Sequence, residues 1–270
     1  MKLPLWNRAN IKRIFLLAAV VFSSAPAYAE EVAKPVAIPQ VSVESWRASV
    51  TPYLWALNAN GSLFYGGNQL ATASVGTSTL LSSLNIGGMV DAEVHKGNWG
   101  LSMDLMYASI SNSASRAPAN YVDLGSRTTM NQGVYTFALT YTLHGSNDIY
   151  LDVLAGARIF SVDSTTNFNV EGFPADYSKS SNTLLTDPVV GLKGRLRIAD
   201  SDYFIPFYVD VGGGGGPTQI TTQAYLGVGR AFDWGDVSMG VKNLYYNMKN
   251  QGATTNLDYF GGAIGVTFKF

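Results

Sequence analysis

The chain has 270 residues, with 18 Lys and Arg against 19 Asp and Glu, 47% hydrophobic and 12% aromatic residues, and no cysteine. Without cysteine there is neither a disulfide framework nor a thiolate metal site, and a near-neutral balance lacks the basic footprint of a nucleic-acid binder. The length suits one large β domain.

The first stretch, "MKLPLWNRANIKR", carries Lys2, Arg8, Lys12 and Arg13 and no acid. It is followed by the uncharged run "IFLLAAVVF" (14–22) and by "SSAPAYA", ending Ala27-Tyr28-Ala29. A basic start, a short apolar run and a small-residue site predict a secretory signal peptide over 1–29, cut after Ala29. The run falls short of the roughly 20 apolar residues that a membrane anchor needs. Removing it takes away four bases and leaves fourteen against nineteen acids. Residues 30–45, "EEVAKPVAIPQVSVES", hold two prolines and no sustained period, the pattern of a periplasmic leader.

From Trp46 onward, alternating segments follow one another, and a period of two gives a strand with two unlike faces. "WRASVTPYLWAL" sets Trp46, Ala48, Val50, Pro52, Leu54 and Ala56 against Arg47, Ser49, Thr51, Tyr53 and Trp55. "IGGMVDAEVH" opposes Val90, Ala92 and Val94 to Asp91, Glu93 and His95, and "WGLSMDLMY" opposes Leu101, Met103 and Leu105 to Ser102 and Asp104. In "QGVYTFALTYTL" and "YLDVLAGARI" the polar faces carry Thr136, Thr140 and Thr142, then Asp152 and Arg158. "DPVVGLKGRLRI" contributes Asp187, Lys193, Arg195 and Arg197, and "YFIPFYVDV" contributes Tyr208 and Asp210. "TQITTQAYLGVGRAF", "VSMGVKNLYYNM" and the closing "LDYFGGAIGVTFKF" bring the count to ten.

The links alternate in length. "HKGN", "HGSND", "ADSD" and "DWGD" are tight turns rich in Gly, Asp and Asn. The links near 58–85, 111–127, 164–183 and 249–256 are long and rich in Ser, Thr, Asn and Gly, and only 212–217 is short on that side. Short turns on one side, long loops on the other and an even number of strands predict a closed antiparallel up-and-down transmembrane β-barrel over 46–270, all-β, with ten strands and eight as the alternative. A soluble sandwich or barrel shares the period, but it would carry its charges outward, and here the charged face is small and nearly self-neutral. Trp46, Trp99, Tyr107, Phe232, Phe268 and Phe270 fall near strand ends, as interfacial aromatics do. Lipid offers no hydrogen bonds to a sheet edge, so the last strand is expected to pair with the first. Ile264, Val266, Phe268 and Phe270 then face lipid, and this Phe-terminated alternation is similar to the C-terminal signal by which outer-membrane barrels are recognised for assembly.

The expected inward charges are Arg47, Arg158, Lys193, Arg195, Arg197, Lys242 and Lys269 with Asp91, Glu93, Asp104, Asp152, Asp187 and Asp210. Burying charges is costly unless they are paired, and a barrel of about eight strands is just filled by its side chains. A structural network in a mostly filled lumen follows, with a narrow pore lined by Lys193, Arg195 and Arg197 as the functional alternative. In "TSTLLSSLNIGG", Leu80, Leu81 and Leu84 have the spacing of a short helix that folds over or into the barrel mouth, or else of an exposed loop. Arg230 falls on the lipid-facing register beside "DWGD", where a long side chain snorkels. In "VKNLYYNM" the apolar register switches between Val241 and Leu244, the mark of a bulge or of emergence above the membrane.

No catalytic, cofactor or metal constellation stands out. His95 and His144 lie at the short-turn end and are expected to be turn or interface residues. "VGGGGGP" (211–217) is followed by neither a Lys nor a helix, so it is a tight hairpin and not a phosphate loop.

Several stretches together carry a resemblance: "TPYLWALNANGSL" (51–63), "LLSSLNIGGMVDAEVHKGNWGLSMDLMY" (80–107), "LDVLAGARIFSVD" (151–163), "DPVVGLKGRLRI" (187–198), "DVGGGGG" (210–216) and the Phe-terminated tail. They resemble an uncharacterised family of Gram-negative outer-membrane β-barrel proteins. "GVKNLYY" replaces a more aromatic and basic segment, and the pentaglycine lacks a usual aromatic. The resemblance implies location in the outer membrane, contact with its lipid, dependence on periplasmic chaperones and the barrel-assembly machinery, no cofactor and no catalytic residues. The expected role is structural or surface interaction, with an unknown surface partner. A small-solute channel is the second reading, and a surface or lipid-modifying enzyme the third.

Overall fold

A computed structural model describes residues 46–116, 124–146, 148–170 and 177–270. The expected signal peptide (1–29) and leader (30–45) lie outside the described residues. The elements are β1 (Trp46–Tyr65), β2 (Asn68–Val75), α1 (Thr77–Ser83), β3 (Leu84–Lys96), β4 (Trp99–Arg116), β5 (Leu124–Gly145), β6 (Ile149–Val170), β7 (Tyr177–Arg197), β8 (Tyr203–Gly212), β9 (Thr218–Phe232), β10 (Gly235–Asn250) and β11 (Ala253–Lys269).

Each strand from β3 to β11 pairs antiparallel with its successor, β1 pairs with β3, and β11 pairs back on β1. The barrel therefore closes on ten strands. At the closure Ala48 and Phe270 exchange both main-chain hydrogen bonds, at 3.1 and 2.9 Å. The eleventh strand, β2, lies outside the ring. It hairpins on the top of β1, from Tyr65↔Asn68 to Ala59↔Val75, and ends the sheet.

Two expectations change. The segments expected as long loops are largely strand: β4 runs to Arg116, β5 starts at Leu124, and β6 and β7 are laddered up to Phe168↔Tyr177. Ser, Thr and Asn favour turns, yet Thr is also a good strand former, and above a bilayer the outer face has no reason to be apolar. The register switch in "VKNLYYNM" is not a bulge at that point, because β10 is laddered continuously to β11 from Asp236 to Asn250. Strict alternation persists, with Lys242, Leu244 and Tyr246 buried inside in succession. What switches is the polarity of each face.

The outer face carries the apolar belt. Leu54, Leu101, Leu139, Val190, Leu226 and Ile264 are all exposed there. At the short-turn end Trp99 meets Tyr141 at 4.9 Å, and Trp234 stacks on Phe232 at 5.6 Å. Arg230 is exposed, with its guanidinium over Tyr203 and Phe232. The pentaglycine turn joins β8 and β9 low on the barrel, with Gly213, Gly214 and Gly216 at positive φ, where a Cβ would be strained.

Candidate functional site

Among the described residues, polar side chains from many strands converge in the lumen, which is built in storeys. At the short-turn end a cavity of about 530 Å³ is lined by Arg47, Glu93, His95, Lys193, Arg195 and Asp236, among others. Lys193 on β7 bonds Glu93 on β3, across the barrel. Arg47 on β1 reaches Thr142 at 3.1 Å and Tyr150 at 3.0 Å on β5 and β6. On the other side Asp236 accepts from Arg195 at 2.9 Å and from Lys269 at 2.6 Å. The Arg195 guanidinium also lies 4.3 Å from the Phe204 ring.

One storey up, Asp104 on β4 is a node. It accepts from Tyr53 at 2.6 Å, from Gln223 at 2.8 Å and from Lys242 at 2.8 Å, so it ties β1, β9 and β10 together through the centre. Beside it Arg158, with no exposed surface, pairs with Asp210 and donates to Thr136 and Thr221, each at 3.1 Å. Tyr208 adds a bond to the same carboxylate.

Above these nodes the lumen turns apolar within a single inward step on six strands. Tyr53 is followed by Trp55, Asp104 by Met106, Thr136 by Val134, Arg158 by Phe160, Asp187 by Leu185 and Lys242 by Leu244, and the apolar member of every pair is buried. Phe160 on β6 meets Tyr246 on β10, four strands round the barrel, with ring centroids 4.8 Å apart. Leu57, Met89, Val162, Leu257 and Tyr259 pack against this layer.

Of the thirteen expected inward charges, most are brought together in these nodes. Asp91 lines the cavity between Lys193 and Lys242 without a direct bond among the described residues. Asp187 is fully buried but joins no ion pair there. Arg197 bonds the Ser201 carbonyl at 2.8 Å and so serves the β7–β8 turn, not the network. Asp236 was hidden in the "DWGD" turn, although its parity with Lys242 places it inward. Gln223, Tyr150 and the tyrosine next to the charged face, Tyr53, also carried no charge to mark them.

His95 corrects the expectation of a turn residue. It is 1% exposed and points into the lumen, because it shares its parity with Asp91 and Glu93. Its ring lies over Gly100, where a Cβ would fall 2.5 Å from the imidazole. His144 is exposed at its turn. The α1 helix enters neither lumen nor mouth: Leu81 and Leu84 are exposed and none of its residues is buried.

Glu93, His95 and Asp152 bring ligand-type atoms within 4.8 Å of one another. His95 Nε2 stands 3.6 Å from Glu93 and 3.7 Å from Asp152. The donor set does not fit a metal. A guanidinium only donates, so Arg47, 3.1 Å from Nδ1, leaves the ring proton on Nε2, the atom a metal would need. Lys193 already holds the nearer carboxylate oxygen. The group is an imidazole set between two carboxylates that are themselves held by Lys193 and Tyr150.

A closed ten-stranded ring with a lipid-facing belt and a polar spanning interior is an outer-membrane β-barrel. Among solved structures, the outer membrane protease OmpT of Escherichia coli superposes with a TM-score of 0.55 at 11% identity, covering 85% of this chain and all of that one. Ail of Yersinia pestis (TM-score 0.30, 11% identity, 83% and 99% covered) and the translocator domain of the autotransporter NalP of Neisseria meningitidis (0.25, 10%, 96% and 94%) are more remote and carry no argument. The likeness to OmpT is one of fold. No protein-family model and no curated protein matches the chain.

Proposed function

We propose that this outer-membrane barrel is a non-conducting, non-enzymatic scaffold that presents its high rim to partners at the cell surface. The observation that carries this reading is the apolar layer, with Phe160 and Tyr246 in contact across the lumen above the charged storeys. An ion leaving the short-turn cavity would have to cross a layer built mainly of apolar side chains, with no charged group in it to replace its hydration. Most of the inward acids and bases, Asp91, Asp187 and Arg197 apart, are engaged with one another or with inward tyrosines, which supports a structural role for them over a catalytic one. The strands β4 to β7, laddered far above the low β8–β9 turn, supply the surface for partners.

A planar-bilayer recording tests it. The purified barrel is expected to be silent, and Phe160→Ala/Tyr246→Ala/Leu244→Ala is expected to produce discrete steps. Steady steps from the unaltered protein, changed by Arg195→Ala, would establish the channel reading instead.

A further inference from the structure

Among the described residues the barrel wall is laddered strand to strand except for short skips at 51–52 and 205–206, the side of β7 above Val189 where β8 has ended, and one seam between β1 and β3. β1 pairs with β3 from Trp46↔Lys96 to Pro52↔Val90, and then with β2 from Ala59↔Val75 upward. Between those levels residues 53–58 and 84–89 have no strand partner on their facing sides among the described residues, while their other sides stay laddered to β11 and β4. Fourteen residues, 76–89, run between Val75 and Val90 where β1 uses six, and seven of the fourteen wind into α1.

α1 closes only the top of the seam. Thr77 donates its hydroxyl to the Leu57 carbonyl at 2.8 Å and its amide to Asn58 at 3.1 Å. Lower down the seam has no cover. Ala48 bonds β11, so even-numbered residues of β1 turn their main-chain groups to β11 and odd-numbered ones to β3. The amides and carbonyls of Tyr53 and Trp55 therefore point into the seam, and those of Gly87 and Met89 point in from β3. Every residue from Leu84 to Gly88 is exposed, on both faces, as in a strand edge standing free.

The seam's height and lining select what fits it. Its outer flanks are Leu54, 75% exposed, and Ile86, 64% exposed, and two residues above Ala56 the outward face turns to Asn58. It thus opens at the upper margin of the apolar belt. Behind it stand Trp55, Leu57, Met89 and Met106 of the apolar lumen layer. We propose that the seam is a lateral port through which an acyl chain of an outer-leaflet lipid enters that layer. Unpaired main-chain groups are not tolerated in bare hydrocarbon, but at this margin ester and headgroup oxygens and interfacial water can bond them. Below, the chain meets only apolar side chains. This inference rests on the barrel's position in the bilayer and not on whether the lumen conducts.

The test uses the whole barrel in phosphatidylcholine vesicles, with Trp6→Phe, Trp46→Phe, Trp99→Phe and Trp234→Phe leaving Trp55 as its reporter. Lipid brominated on the acyl chain is expected to quench Trp55 several-fold more than a tryptophan at Phe160→Trp (in Trp55→Phe), which sits in the same layer on a strand laddered on both sides. A disulfide across the seam, Leu54→Cys/Gly88→Cys, should abolish the difference, whereas one below it, Pro52→Cys/Val90→Cys, should not. If the seam pair oxidises as readily as the lower pair and quenching is unaltered, the wall is continuous and the port is refuted. Equal quenching at 55 and 160 also refutes it. Quenching of Trp55 by an added bromoalkane, but not by brominated lipid, would assign the port to a free apolar solute and overturn the lipid.

Discussion

The lower and upper parts of the same wall follow opposite rules. Below the level of Trp55, Met106, Val134, Phe160, Leu185 and Leu244, the outward residues are Leu101, Leu139 and Val190, and the inward ones are Thr140, Asp152 and Arg158, each without exposed surface. Above it, outward positions hold Asn58, Asn60, Ser161, Asp163, Asn243, Asn247, Asn256 and Asp258, while Leu57, Leu244, Tyr246 and Leu257 point inward. The period of two never changes; only its phase does. The difference shows which medium each part was built for. Water outside makes apolar burial favourable, so the rim has an ordinary apolar interior. Lipid outside removes that driving force, so the spanning part is held by hydrogen bonds and ion pairs.

The largest expected effect tests the spanning part. Arg158→Met leaves Asp210 buried without its partner and should cost about 3–5 kcal/mol, read by denaturant unfolding in vesicles. Arg158→Met/Asp210→Leu should recover most of that, since well-packed apolar side chains replace buried pairs at little cost. A double variant as unstable as the single would mean that the storey depends on the pair itself.

The outer face comes next. Leu139→Arg at mid-belt should cost about 2–4 kcal/mol, whereas Asn131→Arg, outward on the same strand above the belt, should change stability by no more than about 0.5 kcal/mol. Equal costs would erase the boundary. A smaller contrast concerns crowding. A Cβ on Gly100 would lie 2.5 Å from the His95 ring and 2.6 Å from Thr140, so Gly100→Ala should cost about 1–3 kcal/mol. Gly88→Ala, with nothing within 4 Å, should be near neutral.

Much of the spanning part was legible in the sequence, because alternation between Leu139 and Thr140, or Val153 and Asp152, assigns inside and outside directly. The inward charges were legible for the same reason. The rim was not. There the outward Asn and Ser resemble loop residues, and the inward Leu244 and Tyr246 look like a broken register, because polarity alone cannot distinguish a strand that leaves the membrane from one that ends. The partners of the charges were equally hidden. Asp104 finds Lys242 and Gln223 across the lumen, more than a hundred residues away, and His95 reads as a turn residue until its parity with Glu93 is taken into account. The seam becomes visible only when both ladders of β1 are known, because 84–89 and 53–58 are equal in length and nothing in either segment marks it as unpaired.

The smallest expected effect is also the most direct probe of where water begins. Asn247 donates to Asn256 at 2.7 Å on the outward face of β10 and β11. Replacing both, Asn247→Leu/Asn256→Leu, removes one mutual hydrogen bond and exposes two apolar side chains. In water the amides lose little, since solvent would satisfy them, and the net change should stay within about 1 kcal/mol. In hydrocarbon the same change would remove two poorly solvated amides and gain stability by about 2 kcal/mol or more. A near-neutral result in vesicle unfolding, together with the steep cost at Leu139, fixes the boundary between these two levels. A clear gain would move the bilayer upward and make the outward asparagines a buried polar seam in lipid. The inversion of phase would then have no change of medium to explain it.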